Sequence, residues 1–401
     1  MKIPFSPPFI NNTVIQEVTD ALESGWITTG PKVKRLESLV SEHTKAPNTL
    51  CVNSATSGLM LALKWFGVGS GDEVIIPAYT YSATALAVMH IGATPIMVDV
   101  ESDFNIALPA IEKAITKNTK AIIPVDIAGW PCDYDEILEI ANNKKALFNA
   151  QNDNQRKLGR LLIISDSAHS IGATYNNQFL GSVTDIAVFS FHAVKNVTTA
   201  EGGAICLNLP SPFNNDNEYN YLRCFSLNGQ TKDAFTKSKA GGWRYDIIYP
   251  GLKINMPDVL AAIGVAQLPD YFSSVLSKRR TIYEFYQSFF KDKPWAILPP
   301  YKDNKKLSSC HLYALRVHDI SEEKRDKIID AISKEGVAVN VHFQPLPLLT
   351  LFKEMGYNIN NYPVAYNNYK AEISLPIYPQ LNDNELHYIV NTIAKAVEEN
   401  L

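Results

Sequence analysis

Short apolar runs alternate with helical patterns along the first half of the chain. The runs predict strands over 73–76, 95–98, 120–125, 161–164 and 186–189, with helices over 107–117 and 133–142 between some of them. Two further helical patterns, 12–24 and 32–45, lead into this region. Strands that alternate with helices in this way form mostly parallel sheets. The pattern therefore predicts an α/β fold.

The pattern changes after Pro299 and Pro300. Helices predicted over 258–268 and 272–291 are followed by a strand over 311–317, a helix over 321–335, a strand over 337–343 and a helix over 383–398. A chain of 401 residues exceeds what one compact core usually holds. We predict a large α/β domain over 1–270, and a connecting helix with a smaller α+β domain over 271–401.

One polar stretch, 142–160, interrupts the apolar period between a predicted helix and a predicted strand. Its Asn, Gln, Lys and Arg residues are typical of loops. We interpret it as an insertion at the surface.

Composition narrows the function. The net charge of −4 argues against nucleic acid as the main partner. The five cysteines are scattered without a CxxC pair, which favours reduced thiols over disulfides or a metal site. The N-terminus lacks the apolar core of a signal peptide, and no run of about 18 apolar residues is present. We expect a cytoplasmic protein without a membrane partner.

Lys195 follows the predicted strand 186–189 and lies close to Ser190 and to the glycine pair Gly202-Gly203. An amine held at a strand end beside a hydroxyl can form a Schiff base with an aldehyde cofactor whose phosphate the hydroxyl binds. The alternative is an ordinary surface lysine.

Asp166 ends the apolar run 161–164, where ligands of open α/β sheets gather. A carboxylate there can pair with the pyridine nitrogen of pyridoxal phosphate and keep it protonated. The alternative is a helix cap or turn residue.

Small hydroxyl residues open a helical run at 53–58. Backbone N–H groups and the helix dipole at such a start can bind a phosphate. A capped helix without a ligand is the alternative.

Together these segments resemble the DegT/DnrJ/EryC1/StrS group of pyridoxal-phosphate-dependent nucleotide-sugar aminotransferases, along nearly the whole chain. Further motifs that carry the resemblance are 25–31 (GWITTGP), 77–81 (PAYTY), 92–95 (GATP), 256–258 (MPD), 342–346 (HFQPL) and 374–379 (SLPIYP). The resemblance implies a fold-type I transferase with pyridoxal phosphate as cofactor and no metal.

The resemblance also implies residue roles. Lys195 would bind the cofactor and move the proton, Asp166 would hold the ring nitrogen, and His169 would lie near the ring hydroxyl. The phosphate would bind to Ser190 and to the amides of Ala55 and Thr56. Tyr81 would stack on the cofactor, although an isolated aromatic residue is more often part of a core. Thr29, Gly30 and His342 would contact the substrate.

Two departures from the family pattern stand out. Many relatives carry Asn-Tyr-Arg before the methionine that corresponds to Met256, whereas this chain has Lys253-Ile254-Asn255. Relatives also often have histidine at the position of Asp126, where a negative charge could alter contacts near the substrate.

We expect a homodimer with shared active sites. The segment 243–256 would cross to the partner and bring Lys253 or Asn255 to the partner's cofactor phosphate. The polar stretch 228–242 would also reach the partner's site.

By resemblance, the reaction moves an amino group from L-glutamate to C4 or C3 of a UDP- or dTDP-linked ketosugar, for surface polysaccharide or glycan biosynthesis. A sugar 3-dehydratase of the same fold is one alternative, but those enzymes carry histidine in place of the lysine. A non-catalytic regulatory protein is the other, and the presence of both Lys195 and Asp166 argues against it.

Overall fold

The computed structural model describes residues 1–232 and 243–401. The helices in these ranges are α1 (Asn12–Glu23), α2 (Pro31–Thr44), α3 (Ala55–Trp65), α4 (Ser82–His90), α5 (Leu108–Ala114), α6 (Tyr134–Asn143), α7 (Asp153–Leu158), α8 (Asn215–Ser226), α9 (Asp258–Asp270), α10 (Leu276–Phe290), α11 (Glu322–Lys334), α12 (Thr350–Glu354), α13 (Pro363–Ala371) and α14 (Asp383–Asn400). The strands are β1 (Asn48–Val52), β2 (Glu73–Pro77), β3 (Thr94–Val98), β4 (Thr119–Ile122), β5 (Leu162–Asp166), β6 (Thr174–Tyr175), β7 (Gln178–Phe179), β8 (Ile186–Ser190), β9 (Gly203–Leu207), β10 (Ala296–Ile297), β11 (Lys306–Leu307), β12 (Tyr313–Val317) and β13 (Glu372–Leu375).

A seven-stranded sheet in the order β1-β9-β8-β5-β4-β2-β3 forms the centre of the described fold. The pairs from β8 to β3 are parallel, whereas β9 runs antiparallel to both β8 and β1. Buried apolar side chains cover both of its faces, as expected for a mostly parallel sheet. The carboxyl ends of β2, β5 and β8 therefore lie along one edge of the sheet.

The C-terminal elements share a core of their own. Buried residues of α10, β12, α11, β13 and α14 form one cluster, which Ile3 from the N-terminus joins. Beside it, a three-stranded antiparallel sheet has the order β10-β12-β13. The boundary predicted at 270/271 stays a prediction, since α9, a π-helical turn over Tyr271–Val275 and α10 form one continuous helix there.

The strand predicted over 337–343 is wrong. This segment makes only isolated bridges, from Val337 to Ile3 and from Asn340 to Ser374. The strand that pairs with β12 is β13 instead. The physical reason is that the backbone N–H of His342 donates to the side chain of Glu372 and not to a strand carbonyl. An alternating apolar pattern indicates extended backbone but does not identify its partner.

The stretch 142–160 lies mostly at the surface, as interpreted, and polar contacts anchor it to the fold. It contains a 3₁₀ turn (Lys145–Leu147) and α7. The Gln155 side chain is fully buried and donates to the carbonyl of Phe66. The buried amine of Lys120 donates to the carbonyl of Asn149. Polar side chains here satisfy backbone carbonyls of the neighbouring elements, which the sequence pattern does not reveal.

By length and composition, the continuous helix Asp258–Phe290 could cross a membrane. Half of its most apolar window is buried within the fold. Ala261, Leu268 and Tyr271 belong to the core that covers one face of the central sheet. Its apolar composition is therefore that of a core helix.

Candidate active site

A cavity of about 530 Å³ opens at the carboxyl edge of the central sheet. The start of α3, the segment after β2, the ends of β5 and β8, and the segment 340–343 all line it. Eight of the predicted site residues meet there, namely Ala55, Thr56, Tyr81, Asp166, His169, Ser190, Lys195 and His342. The fold thus brings together residues that lie far apart in the sequence.

The start of α3 forms one wall of this cavity. The Ser54 side chain caps the helix by accepting from Ser57 N at 3.1 Å, and the Ser54 carbonyl accepts from Gly58 N. The first N–H groups of a helix have no carbonyl one turn earlier. The amides of Ala55 and Thr56 are therefore available to an anion.

Gly203 allows β9 to approach this helix start closely. A Cβ atom at Gly203 would lie 2.6 Å from Ala55 N and 2.8 Å from Ser54 C, closer than real side chains come. Ser190, which ends β8, pairs with Gly203 across the sheet and lines the same cavity. Together these elements bring one hydroxyl and two amides to the same cavity.

Asp166 lies at the end of β5 and is 6 % exposed. Thr84 Oγ1 donates to its Oδ2 at 2.8 Å, and Ala168 N donates to its Oδ1 at 3.3 Å. Burial raises the pKa of Asp166, while these two hydrogen bonds and the charge of Lys195 lower it. A cation placed here would complete the site by favouring the ionised carboxylate.

Lys195 lies in the turn after β8, where its backbone N–H donates to the carbonyl of His192. Burial lowers the pKa of Lys195 to about 8, and the carboxylate of Asp166 opposes this effect. At pH 7 about a tenth of the amine is therefore neutral, far more than for an ordinary lysine, and the neutral form is the one that a nucleophile or a base requires.

Two imidazoles in contact, tilted by 38° to each other, lie beside Lys195. The rings of His169 and His311 have centroids 4.4 Å apart, and burial lowers the pKa of both well below the usual range. His169 Nδ1 accepts from Ala128 N at 3.2 Å. In this neutral ring the proton therefore resides on Nε2, and His169 is a donor there.

Asn196 determines the tautomer of His311. Its Nδ2 donates to the Ser309 carbonyl and to the Tyr271 hydroxyl, both at 3.1 Å, so its Oδ1 faces His311 Nδ1 at 3.0 Å. An amide oxygen only accepts, so Nδ1 of His311 carries the proton. The two rings thus differ in tautomer: Nε2 carries the proton in His169 and Nδ1 carries it in His311.

Sequence reasoning missed several residues of this site: Thr84, Asn196, His311 and Phe343. The Phe343 ring stacks on His169 with centroids 5.8 Å apart. His311 begins an apolar run that reads as a strand, and Thr84 belongs to an apolar helix. A histidine at the edge of an apolar run is the one signal that could have found His311.

Tyr81 lines the cavity but is 62 % exposed, and its ring lies 5.8 Å from that of Phe343. It is therefore not a core residue. An aromatic ring at the cavity mouth can cover a planar ligand.

Thr29, Gly30 and Asn255 lie outside this cavity and line a separate small cleft. Asn255 Nδ2 donates to Thr29 Oγ1 at 2.6 Å, and Lys253 forms a bridge with Leu227. These four predicted residues do not meet the cofactor residues within one chain. The polar stretch 228–242 lies mostly outside the described residues, which omit 233–242.

The expectation that Asp126 alters substrate contacts is wrong. Asp126 is fully buried and does not line the cavity. Its carboxylate accepts from Cys132 N, from Tyr134 OH, and from the hydroxyls of Ser167 and Ser170. These donors satisfy the buried charge and make Asp126 a structural residue.

The donor set of the cavity fits pyridoxal phosphate. Two helix-start amides and a hydroxyl suit the phosphate, a buried carboxylate suits the pyridine nitrogen, and an amine with a lowered pKa suits the aldehyde. The prediction from sequence required that these groups line one cavity, and in the structure they do.

Comparisons with known proteins identify the family of the chain. The model of the DegT/DnrJ/EryC1/StrS aminotransferase family matches residues 8–394. Spore coat polysaccharide biosynthesis protein SpsC of Bacillus subtilis is 36% identical, over 99% of this chain and 97% of that protein.

Solved structures are similar over the full length. Spr1654 of Streptococcus pneumoniae, named as a sugar aminotransferase and solved in PMP and PLP forms, is 45% identical in the PMP form, with a TM-score of 0.96 and all of both chains covered. Helicobacter pylori PseC, an aminotransferase involved in the biosynthesis of pseudoaminic acid, is 28% identical, with a TM-score of 0.87 and all of both chains covered.

Proposed function

The chain belongs to the DegT/DnrJ/EryC1/StrS aminotransferase family, has the fold-type I architecture and uses pyridoxal phosphate, and we propose that it aminates a nucleotide-linked deoxysugar. The amino group would come from L-glutamate and go to a keto carbon, C4 or C3, of a sugar carried on UDP or dTDP. The observation that carries the proposal is the common cavity of Lys195, Asp166 and the start of α3.

Lys195 is the catalytic residue of this proposal. Its amine, in the neutral form, would hold the cofactor and would carry the proton between the substrate carbon and the cofactor carbon. The pKa of about 8 suits both directions of transfer near neutral pH. Pyridoxal phosphate, when bound, supplies an electron-accepting ring that stabilises negative charge at the reacting carbon.

Asp166 would maintain that electron-accepting state by holding a proton on the ring nitrogen. Thr84 and the amide of Ala168 orient its carboxylate and favour its charged form. His169 presents an N–H group toward the cavity and is positioned to donate to a cofactor oxygen.

The amides of Ala55 and Thr56 and the hydroxyl of Ser190 would bind the phosphate group. Neutral donors at one helix start only partly offset a doubly charged phosphate. This supports a second contribution from a partner subunit, for which Lys253 and Asn255 are the candidates, and hence a homodimer. Thr29 and Gly30 would reach the substrate from the same side.

Two alternatives are less well supported. A sugar 3-dehydratase of this fold carries histidine in place of the lysine, and Lys195 argues against it. A regulatory protein would not need a buried amine and a buried carboxylate in the same cavity. The relationship to SpsC supports a role in polysaccharide biosynthesis, and we propose a cytoplasmic location for the enzyme.

Addition of L-glutamate to the purified holoenzyme tests this proposal. The visible absorption of the lysine-bound cofactor should be replaced by that of pyridoxamine phosphate, and a nucleotide-linked ketosugar should then restore it. D-glutamate serves as the matched control. No spectral change with any amino acid would contradict the aminotransferase assignment.

A further inference from the structure

His342 is the half-buried end, at the cavity, of a buried chain of polar groups. Its Nδ1 lies 2.8 Å from Ser374 Oγ, and Ser374 Oγ lies 2.5 Å from Glu372 Oε1. The other oxygen, Glu372 Oε2, accepts from the backbone N–H of His342 at 2.9 Å. Ser374 and Glu372 are fully buried, whereas His342 lines the cavity.

The backbone holds this chain of groups in place. Ser374 and Asn340 exchange backbone hydrogen bonds of 2.7 and 3.2 Å, and Tyr79 OH donates to the carbonyl of His342 at 2.8 Å. The Phe5 ring stacks on His342 with centroids 5.4 Å apart. The imidazole therefore has little freedom to turn.

A serine hydroxyl has one proton, so Ser374 donates to only one of its two neighbours. When Glu372 is ionised, Ser374 donates to the carboxylate and accepts from Nδ1–H of His342. The free Nε2 is then an acceptor. When Glu372 carries a proton, it donates to Ser374, which donates to Nδ1, and Nε2–H of His342 becomes a donor.

We propose that Glu372 and Ser374 are positioning residues that decide which tautomer of His342 faces the cavity, and thereby whether this ring donates or accepts a hydrogen bond with the sugar. The proposal rests on the proposed function, because the sugar is the ligand that His342 would contact. The imidazole would then be uncharged and would select the sugar through its hydrogen bond, instead of pairing as a cation with a phosphate.

The surroundings favour the donor tautomer near neutral pH. Burial raises the pKa of Glu372 to about 8, and the guanidinium groups of Arg325, from α11, and Arg316, from β12, oppose this increase. Burial and the charge of Lys195 lower the pKa of His342 to about 3, so the ring itself stays neutral. Tyr79 also faces Glu372, and burial keeps its pKa well above 10.

This tautomer limits what the site accepts. Below about pH 8, His342 offers an N–H group, which suits a keto, ring or phosphate oxygen that has no proton of its own. Above that pH it offers a lone pair, and only a hydroxyl or amino group can then bind to it. A sugar that presents a bare oxygen at this point should lose affinity as the pH rises.

The hydrogen-bonded groups of Glu372, Ser374 and His342 form a relay, and the variant Glu372→Gln fixes the direction of its hydrogen bonds. Its amide oxygen must accept from the backbone N–H of His342, so its NH₂ group faces Ser374 and donates at every pH. Ser374→Ala breaks the relay altogether. Glu354→Gln, at an exposed position of α12, is the matched control.

Nitrogen-15 NMR of His342 reads the tautomer directly. Full-length protein labelled at histidine and carrying Lys195→Ala avoids interference from the amine, whose pKa lies close to that of Glu372. We expect the proton to move from Nε2 to Nδ1 between pH 6.5 and 9.5. With Glu372→Gln it should stay on Nε2, and with Ser374→Ala the pH step should vanish. An unchanged tautomer in the unmodified relay, or the same step in either variant, would overturn the proposal.

Steady-state kinetics with Lys195 intact gives the functional readout. The KM for the nucleotide-linked sugar should rise about three- to tenfold from pH 7 to 9, the value of one hydrogen bond, and Glu372→Gln should remove this rise. The half-reaction with L-glutamate should be the same in the unmodified enzyme and in the control Glu354→Gln. Loss of that half-reaction in the unmodified enzyme would contradict the proposed function, whereas an equal KM rise in the unmodified enzyme and in Glu372→Gln would contradict only the relay.

Discussion

The hydroxyl of Thr84 lies 2.8 Å from Oδ2 of Asp166, and it donates to this carboxylate from the first turn of a different element, α4. Thr84 is fully buried, and its hydroxyl also lies 2.9 Å from that of Thr80. A short polar chain thus supports the residue that we assign to the ring nitrogen. The burial of Asp166 requires such support, because an unassisted buried carboxylate takes up a proton.

Thr84→Val removes that hydrogen bond while preserving volume. The pKa of Asp166 should rise further, so kcat/KM should fall about three- to tenfold and its acid limb should move to higher pH. A pH–rate profile measures both effects. Thr84→Ser keeps the hydroxyl and should restore the profile. If the profile of Thr84→Val matched that of the unmodified enzyme, Thr84 would not support the charged form of Asp166.

Asp166→Asn should leave the cofactor bound but lower the rate by several orders of magnitude. The neutral amide cannot hold a proton on the ring nitrogen, so the ring accepts electrons less readily. Single-turnover kinetics with L-glutamate gives the measurement. A loss smaller than about tenfold, roughly 1.4 kcal/mol of barrier, would show that Asp166 is not the partner of the nitrogen.

Lys195→Ala should abolish turnover and the visible absorption of the lysine-bound cofactor. Among the described residues that line the cavity, Lys195 supplies the one lysine amine. Absorption spectra and the glutamate half-reaction measure the effect, with the exposed Lys64→Ala of α3 as the control. Near-normal turnover in Lys195→Ala would contradict the assignment of the whole site.

A mixture of two inactive chains tests the shared active site. Chains with Lys195→Ala are combined with chains mutated to Ala at both Lys253 and Asn255. If the segment 243–256 serves the partner's cofactor, heterodimers contain one complete site and should regain part of the activity. Full activity in the double variant alone, or a fully active monomer at micromolar concentration, would exclude this arrangement.

The buried carboxyl of Glu37 should make the free energy of unfolding depend on pH, independently of catalysis. Burial raises its pKa from 4.5 to about 7, and its carboxyl accepts from Cys51 N and Tyr219 OH. Between these pH values the folded chain binds a proton that the unfolded chain has released, so stability decreases as the pH rises from about 4.5 to 7.

The variant Glu37→Gln keeps an acceptor for Cys51 and removes this titration. The free energy of unfolding of this variant, taken relative to that of the unmodified protein, should be higher at pH 8 than at pH 5 by on the order of 1–3 kcal/mol. Urea unfolding at both pH values gives the difference. Equal pH dependence in the two proteins would show that Glu37 does not carry the proton.

The local sequence determined the elements that periodicity controls. Each strand of the parallel core was predicted within a few residues, because an apolar run bounded by turn residues needs no information from elsewhere. Asp166 and Lys195 were predicted for a related reason, since each lies within six positions after such a run, and the structure places both at the cavity. The strand predicted over 337–343 failed because a strand needs a partner, and the pattern names none.

Only the tertiary structure decided how the polar groups pair. The backbone N–H of His342 is bound by Glu372, 30 positions away, and Asp166 is supported by Thr84, 82 positions away. Asp126 fits the sequence as a charge near the substrate, yet four donors enclose it in the fold. The local pattern of the sequence sets which apolar side chains are buried. A buried polar group, in contrast, needs a partner within about 3 Å. That distance is set only when the chain folds and brings distant residues together.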